Sequence, residues 1–424
     1  MRRLPLTFAV LALALLAGGA WAEFRFPMPE FESGYTRPPM HLPPPAVTSP
    51  LVDVALLGGL MAVTAWAVVK RRSRAWVLSV CAVSVLYFGF YRKGCVCSVG
   101  SLQNVLDAFI GSGLAVPVVV SVFFLLPLVF ALWFGRVFCA AVCPLGALQE
   151  LCAVRPVQVP RAAEQVLGLL AYAYLGLTVV GVVTGSGFLI CRYDPFVGFF
   201  RLGGELNMLL AGGLLLASGL VIARPYCRWL CPYGVLLRWV STVSKWHATV
   251  TPASCVQCRL CESACPVNAI EFPTPADRPE RRGAGVRRML VLGAALPVVL
   301  LFAAGAGWSA HGWLARMHPV VRLADRVAAE DAGRVTGTTI DSETFRAGQQ
   351  PVAELYAEAA GLEERFKGAG AGFGAFMGLV VWGRVLRLSR VRVRKDYEID
   401  KGACVSCARC FAYCPVERET DAQA

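Results

Sequence analysis

The chain has 424 residues, of which 56% are hydrophobic and only 16% are charged. Soluble domains carry about 25% charged residues, so this composition excludes a soluble globular protein and predicts a membrane protein. The 17 cysteines are too clustered to be incidental core thiols and predict metal or redox chemistry. A formal net charge of +13 would favour nucleic acid as a partner of a soluble chain. Here we attribute it to basic loops beside a membrane and expect no nucleic-acid partner.

The N-terminus has the three parts of a secretory signal. Arg2 and Arg3 precede an apolar run, and small residues precede Glu23. We therefore predict a signal peptide at 1–22 and a mature N-terminus in the periplasm. The proline-rich stretch 23–50 cannot pack as a helix or central strand, so it is predicted to form a periplasmic arm.

Seven apolar stretches follow, at 51–69, 75–91, 114–134, 166–188, 206–223, 289–310 and 371–386. With a periplasmic start, the predicted cytoplasmic loops hold 25 Lys and Arg and the opposite loops hold 13, as the positive-inside rule requires. The predicted fold class is an all-α, multi-pass protein of the bacterial inner membrane with about seven transmembrane helices. The loop 311–370 has apolar residues at helical spacing and is predicted to form a periplasmic helical cap.

An internal repeat lies in the predicted transmembrane core, 51–249. The motif Cys-x3-Cys-Pro occurs at Cys139 and Cys143 and again at Cys227 and Cys231, each time after an apolar stretch. The pattern indicates two tandem helical hairpins. The four thiols are compatible with a shared metal or cluster, with dithiol and disulfide cycling, or with tight helix packing by small apolar side chains.

Three further cysteines lie one predicted helix earlier, on the other side of the bilayer. They are Cys95, Cys97 and Cys191. Disulfides persist outside the cytoplasm, so these thiols are compatible with a disulfide, a redox role or simple packing.

Two ferredoxin-type runs carry the clearest chemical signal. Both have the spacing Cys-x2-Cys-x2-Cys-x3-Cys-Pro, and their cysteines are Cys255, Cys258, Cys261 and Cys265, then Cys404, Cys407, Cys410 and Cys414. Thiolates are soft ligands, and this short loop wraps three of them around a [4Fe-4S] cluster. Zinc, the alternative metal, usually takes two separated cysteine pairs.

The ligands of the two clusters are expected to be exchanged between the runs. In bacterial two-cluster ferredoxins the fourth cysteine of each run binds the cluster of the other run. We therefore predict cluster 1 on Cys255, Cys258, Cys261 and Cys414, and cluster 2 on Cys404, Cys407, Cys410 and Cys265. The segments 250–275 and 387–424 meet only if an even number of crossings separates them, which supports helices at both 289–310 and 371–386. Both segments are then cytoplasmic.

The Cys-x3-Cys-Pro pairs, the segment Arg192-Tyr193-Asp194-Pro195-Phe196 and the ferredoxin runs resemble the NosR and NapH family of membrane polyferredoxins. The resemblance covers most of residues 50–424. It implies a quinol dehydrogenase membrane component that moves electrons between the quinone pool, its own clusters and a periplasmic or membrane reductase of the nitrous-oxide or nitrate type. We expect a member without the periplasmic FMN domain that precedes this core in NosR.

Iron–sulfur electron transfer with quinol or quinone is thus the predicted function, and no catalytic residue is assigned. One alternative is an accessory or redox-sensing factor for the maturation or expression of a periplasmic metalloenzyme such as nitrous-oxide reductase. Metal-ion transport through the Cys-x3-Cys pairs is disfavoured, because the predicted spans offer few polar ligands.

Overall fold

The computed structural model describes residues 50–94, 98–110, 116–154, 156–203, 206–250, 255–274, 282–390, 394 and 396–415. The predicted signal peptide and nearly all of the proline-rich arm lie outside these residues. Cys95, Cys97 and the side chain of Cys191 also lie outside them, so the predictions for these three thiols stay predictions.

The chain is mostly helical, and each of the seven apolar stretches coincides with a helix. The first repeat region contains α1 (Pro50–Val69), α2 (Arg74–Ser84) with a π-helical continuation (Val85–Tyr91), α3 (Ser98–Ile110), α4 (Val118–Phe134), a π-helical turn (Phe138–Val142) and α5 (Pro144–Cys152). The second contains α6 (Arg161–Leu167), α7 (Leu169–Val183), α8 (Leu189–Arg192), α9 (Val197–Arg201), α10 (Leu206–Gly219), α11 (Pro225–Trp229) and α12 (Pro232–Ser241).

The C-terminal part alternates between ferredoxin elements and long helices. Its elements are α13 (Leu260–Ala264), β1 (Ile270–Glu271), α14 (Arg282–Ser309), α15 (His311–Ala315), α16 (Pro319–Asp331), α17 (Ile340–Ala347), α18 (Val352–Ser389), β2 (Glu398–Ile399) and α19 (Arg409–Ala412).

Five helical segments of the described chain are long and apolar enough to cross a membrane, namely α1, Arg74–Tyr91, Arg161–Val183, most of α14 and α18. The apolar helices α4 and α10 are shorter. The apolar window of α14 has no buried residues, as expected of a helix whose surroundings are lipid. The protein is therefore a helical membrane protein.

Helix α18 joins the predicted cap and the predicted seventh span without a break at residue 370. Its buried side recurs every three or four residues, at Leu355, Ala359, Leu362, Phe366, Gly370, Gly374 and Gly378. The first four pack in the core of the cap. A Cβ atom on Gly374 would overlap the carbonyl of Ala303, so the absence of a side chain lets α18 pack directly against α14.

The two ferredoxin segments form one module. Strands β1 and β2 pair antiparallel, with Ile270 opposite Ile399, and α13 packs against α19. Chain segments separated by the α14–α18 hairpin are thereby brought together at one end of the helical core.

Candidate iron–sulfur site

The two cysteine runs share an unusual backbone. Gln257 and Arg259 in the first run and Ser406 and Ala408 in the second have positive φ angles, between 51° and 62°. They flank the second cysteine of each run. Left-handed residues in such loops turn successive N–H groups toward one concave side, an arrangement found at many anion and iron–sulfur sites. Both runs thus have the backbone of a cluster-binding loop.

The fourth cysteine of the first run lies with three cysteines of the second. Cys265, Cys404, Cys407 and Cys410 line one cavity, together with the apolar side chains of Val267, Ile270, Val405 and Phe411. Backbone N–H groups reach two of the sulfurs: Ala269 donates to Cys265 Sγ at 3.3 Å and Ser406 to Cys404 Sγ at 3.4 Å. We call this group the inner thiols.

The inner thiols need positive charge to ionise. Burial raises the pKa of Cys404 to about 12 and that of Cys407 to about 11. Thiolates are the form that binds iron, and iron supplies the compensating charge when they do. The donor set and its apolar lining therefore fit an iron–sulfur cluster.

The remaining ferredoxin cysteines lie near solvent. Cys255, Cys258 and Cys414 are exposed and Cys261 is half-buried. Burial is the main cause that raises the pKa of Cys261, and electrostatic interaction with Cys255 and Cys258 raises it further. Cys414 follows α19, which packs against α13 of the first run. We call these four the outer thiols.

Among the described residues, no three Cys, His, Asp or Glu side chains form a site for a single metal ion. A [4Fe-4S] cluster needs a wider spacing of its ligands than a single metal ion does, because each of its four thiolates binds a different iron atom.

The Cys-x3-Cys-Pro motifs occupy equivalent helix starts. Pro144 and Pro232 are the first residues of α5 and α12, where the missing N–H of proline costs no hydrogen bond. The cysteines before them, Cys143 and Cys231, are the N-cap residues, and Cys231 Sγ accepts a hydrogen bond from Gly234 N at 3.3 Å.

The first cysteines of the two motifs lie near each other across the repeat. Arg136 Nη2 is 3.8 Å from Cys139 Sγ, and Gln149 Nε2 is 3.5 Å from Cys227 Sγ. Burial raises the pKa of Cys227 to about 11, and the neighbouring Cys139 adds to this rise. Both thiols are buried in the main hydrophobic core.

A buried carboxylate, which the sequence did not single out, connects the repeats to the second run. Glu150 on α5 is 2% exposed. Its oxygens lie 2.7 Å from Arg224 Nε, 2.9 Å from Arg409 Nε and 2.9 Å from Arg74 Nη2. Burial opposes ionisation of Glu150, but the three guanidiniums outweigh it and lower its pKa to about 2. We call these four residues the Glu150 cluster.

The Glu150 cluster contacts the inner thiols' own loop. Arg409 stands between Cys407 and Cys410 in the sequence, and Arg74 Nη1 donates to the carbonyl of Cys407 at 3.1 Å. Arg224 comes from the second repeat and also donates to the carbonyl of Ala140 in the first, at 2.6 Å. One carboxylate thus holds both repeats and the second ferredoxin run together.

The first run is held differently, by the segment 156–161 along its outer side. Gln158 Nε2 donates to the carbonyls of Glu262 at 2.6 Å and Cys265 at 3.2 Å. Asn268 Nδ2 donates to the carbonyl of Val159 at 2.7 Å. These contacts are neutral hydrogen bonds, and Gln158 is exposed.

Two family models match the chain, and both are described as a 4Fe-4S binding domain. One matches twice, over residues 115–158 and 206–249, and so covers each copy of the repeat once. The other matches residues 248–271, which contain the first ferredoxin run.

Three bacterial proteins are similar over part of the chain. The protein NirI of Paracoccus denitrificans is 33% identical over 175 residues, 35% of this chain and 25% of NirI. YccM of Escherichia coli, whose name assigns it provisionally to electron transport, is 29% identical over 157 residues, 33% of this chain and 43% of YccM. The regulatory protein NosR of Pseudomonas aeruginosa is 30% identical over 212 residues, 45% of this chain and 29% of NosR.

The chain therefore spans less than half the length of each of these relatives. No solved structure matches it.

The helices, the paired cysteine runs and the matched domains define a membrane protein with ferredoxin-type 4Fe-4S binding domains. Its repeats and its relatives narrow this class further. The chain is similar to the NosR/NapH-like membrane ferredoxin-type proteins, and this similarity supports the family predicted from sequence.

Proposed function

We propose that the chain binds two [4Fe-4S] clusters and transfers electrons between the quinone pool and a respiratory partner. One observation carries the proposal: Cys265 of the first run lies with Cys404, Cys407 and Cys410 in a cavity that the Glu150 cluster ties to the membrane repeats. The inner thiols are then the ligands of cluster 2. By the same relation between the runs, the outer thiols are the ligands of cluster 1.

When bound, each cluster accepts and releases one electron at a potential that its surroundings set. The protein's own groups perform the rest. The N–H groups of Ala269 and Ser406 donate to the inner sulfurs, and the apolar lining excludes water. The Glu150 cluster holds the second run against the repeats, and the 156–161 segment holds the first run from outside.

A quinol or quinone as the small-molecule partner fits the membrane part of the molecule. The helices expose apolar side chains, such as Leu301 at 75% and Phe302 at 80%, to the phase in which quinones dissolve. The protein partner in this proposal is a periplasmic or membrane reductase, as the resemblance to the family implies.

The location in this proposal is the bacterial inner membrane, with a cleaved signal, a periplasmic N-terminus and both ferredoxin segments in the cytoplasm. The excess of Lys and Arg in the corresponding loops supports this orientation. A reporter enzyme fused after Ala424 should be active only in its cytoplasmic form. Activity of a periplasm-dependent reporter at that site would reject the orientation.

The deciding experiment for electron transfer is reduction of the purified protein by a quinol, followed by EPR. We expect the signals of reduced clusters to develop with quinol and not with the matching quinone. A Cys265→Ser variant should develop the signal of one cluster only. Clusters that quinol leaves oxidised while dithionite reduces them would reject the quinone pool as the electron source.

A second candidate function is regulation, because the relative NosR is named a regulatory protein. In that case the clusters act as a redox sensor for the maturation or expression of a periplasmic metalloenzyme. Clusters that respond to oxidants, with no reduction by quinol, favour the sensor over the electron carrier.

A further inference from the structure

The two repeats differ at the one place where each brings an arginine into the interior. Arg136 begins the first copy of the motif and Arg224 begins the second, and their exposed fractions are 6% and 1%. Arg224 faces Glu150 at 2.7 Å. The residue that corresponds to Glu150 in the second copy is Arg238. At equivalent positions of the repeat, the first copy therefore has a carboxylate and the second copy has another cation.

Arg136 consequently has no carboxylate at salt-bridge distance within the described part of the chain. Its Nη1 lies 3.4 Å from the carbonyl of Gly402 and its Nη2 lies 3.8 Å from Cys139 Sγ, while Nε has no hydrogen-bond partner among the described residues. Arg238 adds a like charge nearby. Asp400, an acid that interacts with Arg238, pairs with Arg387 and accepts a hydrogen bond from Gly402 N.

A buried guanidinium without a counter-ion is unfavourable, so the surroundings of Arg136 require an anion. Gly402 precedes Cys404 by two residues, and the backbone contact therefore places Arg136 beside the loop of the inner thiols. A [4Fe-4S] cluster with four thiolate ligands carries net negative charge, and each electron it accepts adds one more. The Glu150 cluster supplies positive charge on the same loop, because three guanidiniums face one carboxylate.

We propose that Arg136 is a positioning residue that supplies the compensating positive charge for cluster 2 and raises its reduction potential, with Arg74 as a weaker contributor. The inference rests on the proposed assignment of the inner thiols to that cluster. It implies that the cluster facing the membrane repeats accepts electrons more readily than its burial alone would permit, since burial disfavours the more negative state and the arginines oppose this.

The test is a potentiometric EPR titration of the intact protein in detergent or nanodiscs. The signal of the inner cluster is identified as the one less broadened by a water-soluble paramagnetic ion. We expect Arg136→Gln to lower the potential of this signal by the equivalent of about a tenfold change in the reduction equilibrium, 59 mV for a one-electron couple. The conservative Arg136→Lys variant keeps the charge and should restore most of the shift.

The matched control is Arg365→Gln, which removes an exposed arginine from the cap part of α18, outside both ferredoxin runs. Water screens that charge, so the inner signal should keep its potential. If Arg136→Gln fails to assemble, Arg74→Gln removes a guanidinium whose side chain is 20% exposed and should lower the same potential by a smaller amount.

Three outcomes would overturn the inference. The reduction potentials of both signals could be unchanged in Arg136→Gln and Arg74→Gln. Arg136 would then interact with the thiol of Cys139 and have no effect on cluster 2. Arg136→Lys could shift the potential as much as Arg136→Gln, which would make shape and not charge the cause. The outer signal could shift as much as the inner one. A wild-type protein with iron for one cluster only would instead reject the ligand assignment, and iron analysis before the titration separates that failure from the others.

Discussion

The two ferredoxin runs have the same cysteine spacing and the same left-handed turns, yet they occupy opposite environments. The first run presents Cys255 and Cys258 to solvent and is held by neutral hydrogen bonds from the 156–161 segment. The second is packed against the repeats and held by charged contacts to Glu150. One motif therefore occurs once at the solvent-exposed side of the module and once packed against the helical repeats.

This difference shows that a cluster-binding loop determines the ligands of a cluster but not its surroundings. The reduction potential of the cluster, its access to solvent and its stability depend on the residues that pack against the loop. In this protein the charged residues near the inner thiols come from three distant parts of the chain, at Arg74, Glu150 and Arg224. Four experiments test how far the two runs differ.

The largest effect is expected for Glu150→Ala. Removing the carboxylate leaves three guanidiniums facing one another, one of them fully buried, and breaking such a buried network costs about 3–5 kcal/mol. We expect a lower thermal unfolding temperature and loss of the inner cluster's EPR signal. Glu364→Ala is the control, because Glu364 is 71% exposed and its ion pair within the described chain is with Lys367, so its removal should change stability by about 0–1 kcal/mol. Equal effects of the two variants would mean that the Glu150 cluster does not anchor the second run.

A second large effect is expected for Cys265→Ser. This cysteine belongs to the first run by sequence and to the inner thiols by position. The variant should lose about half of the bound iron and the inner EPR signal while the outer signal remains. Cys152→Ser, which alters a half-buried cysteine outside both runs, should retain all of the iron. Loss of the outer signal instead would mean that each run binds its cluster with its own four cysteines.

A smaller effect is expected for Gln158→Ala, which removes the hydrogen bonds that hold the first run. Hydrogen bonds of this neutral, exposed kind stabilise by about 1 kcal/mol or less, so the protein should stay folded. Hydrogen exchange should become faster in the first run, around Glu262, and stay unchanged around Cys407. Faster exchange in both runs would show that the module moves as one body and that the two anchors are not independent.

The smallest effect concerns pH and His247, which lies between α12 and the first run in the sequence. A Cβ atom on Gly135, the residue before Arg136, would lie 3.5 Å from His247 Cβ. Burial, and then the positive charge of Lys401, lower the pKa of His247 below its usual 6.5. The folded state therefore binds fewer protons than the unfolded state just below pH 6.5, and stability rises with pH in that window.

We expect the thermal unfolding temperature to fall as the pH is lowered from 7.5 toward 5.5, and this slope to become shallower in His247→Gln. His311→Gln, in the cap, should keep the slope of the wild type. A His247→Gln variant with an unaltered slope would assign the pH dependence to other groups.

Local sequence patterns were sufficient to predict the apolar helices and the type of metal centre. Apolar length predicts the helices because a residue's preference for lipid or water is a property of its own side chain. The cysteine spacing predicts cluster-binding domains because the ligands of one cubane come largely from one short loop. The 4Fe-4S binding domain matched over residues 248–271 confirms this for the first run. The repeat of Cys139 and Cys227 is also a local pattern, and the two family matches cover one copy each.

Tertiary structure decided which groups surround those loops. In the sequence, Glu150 is a single polar residue at the end of an amphipathic helix. Its partners Arg224 and Arg409 lie 74 and 259 residues further along the chain, so no local pattern predicts these pairs. That Arg136 has no carboxylate at salt-bridge distance among the described residues is likewise a property of space, because it depends on which side chains the packed helices bring beside it. Charge interactions depend on distance and burial, and both are set only when the helices pack.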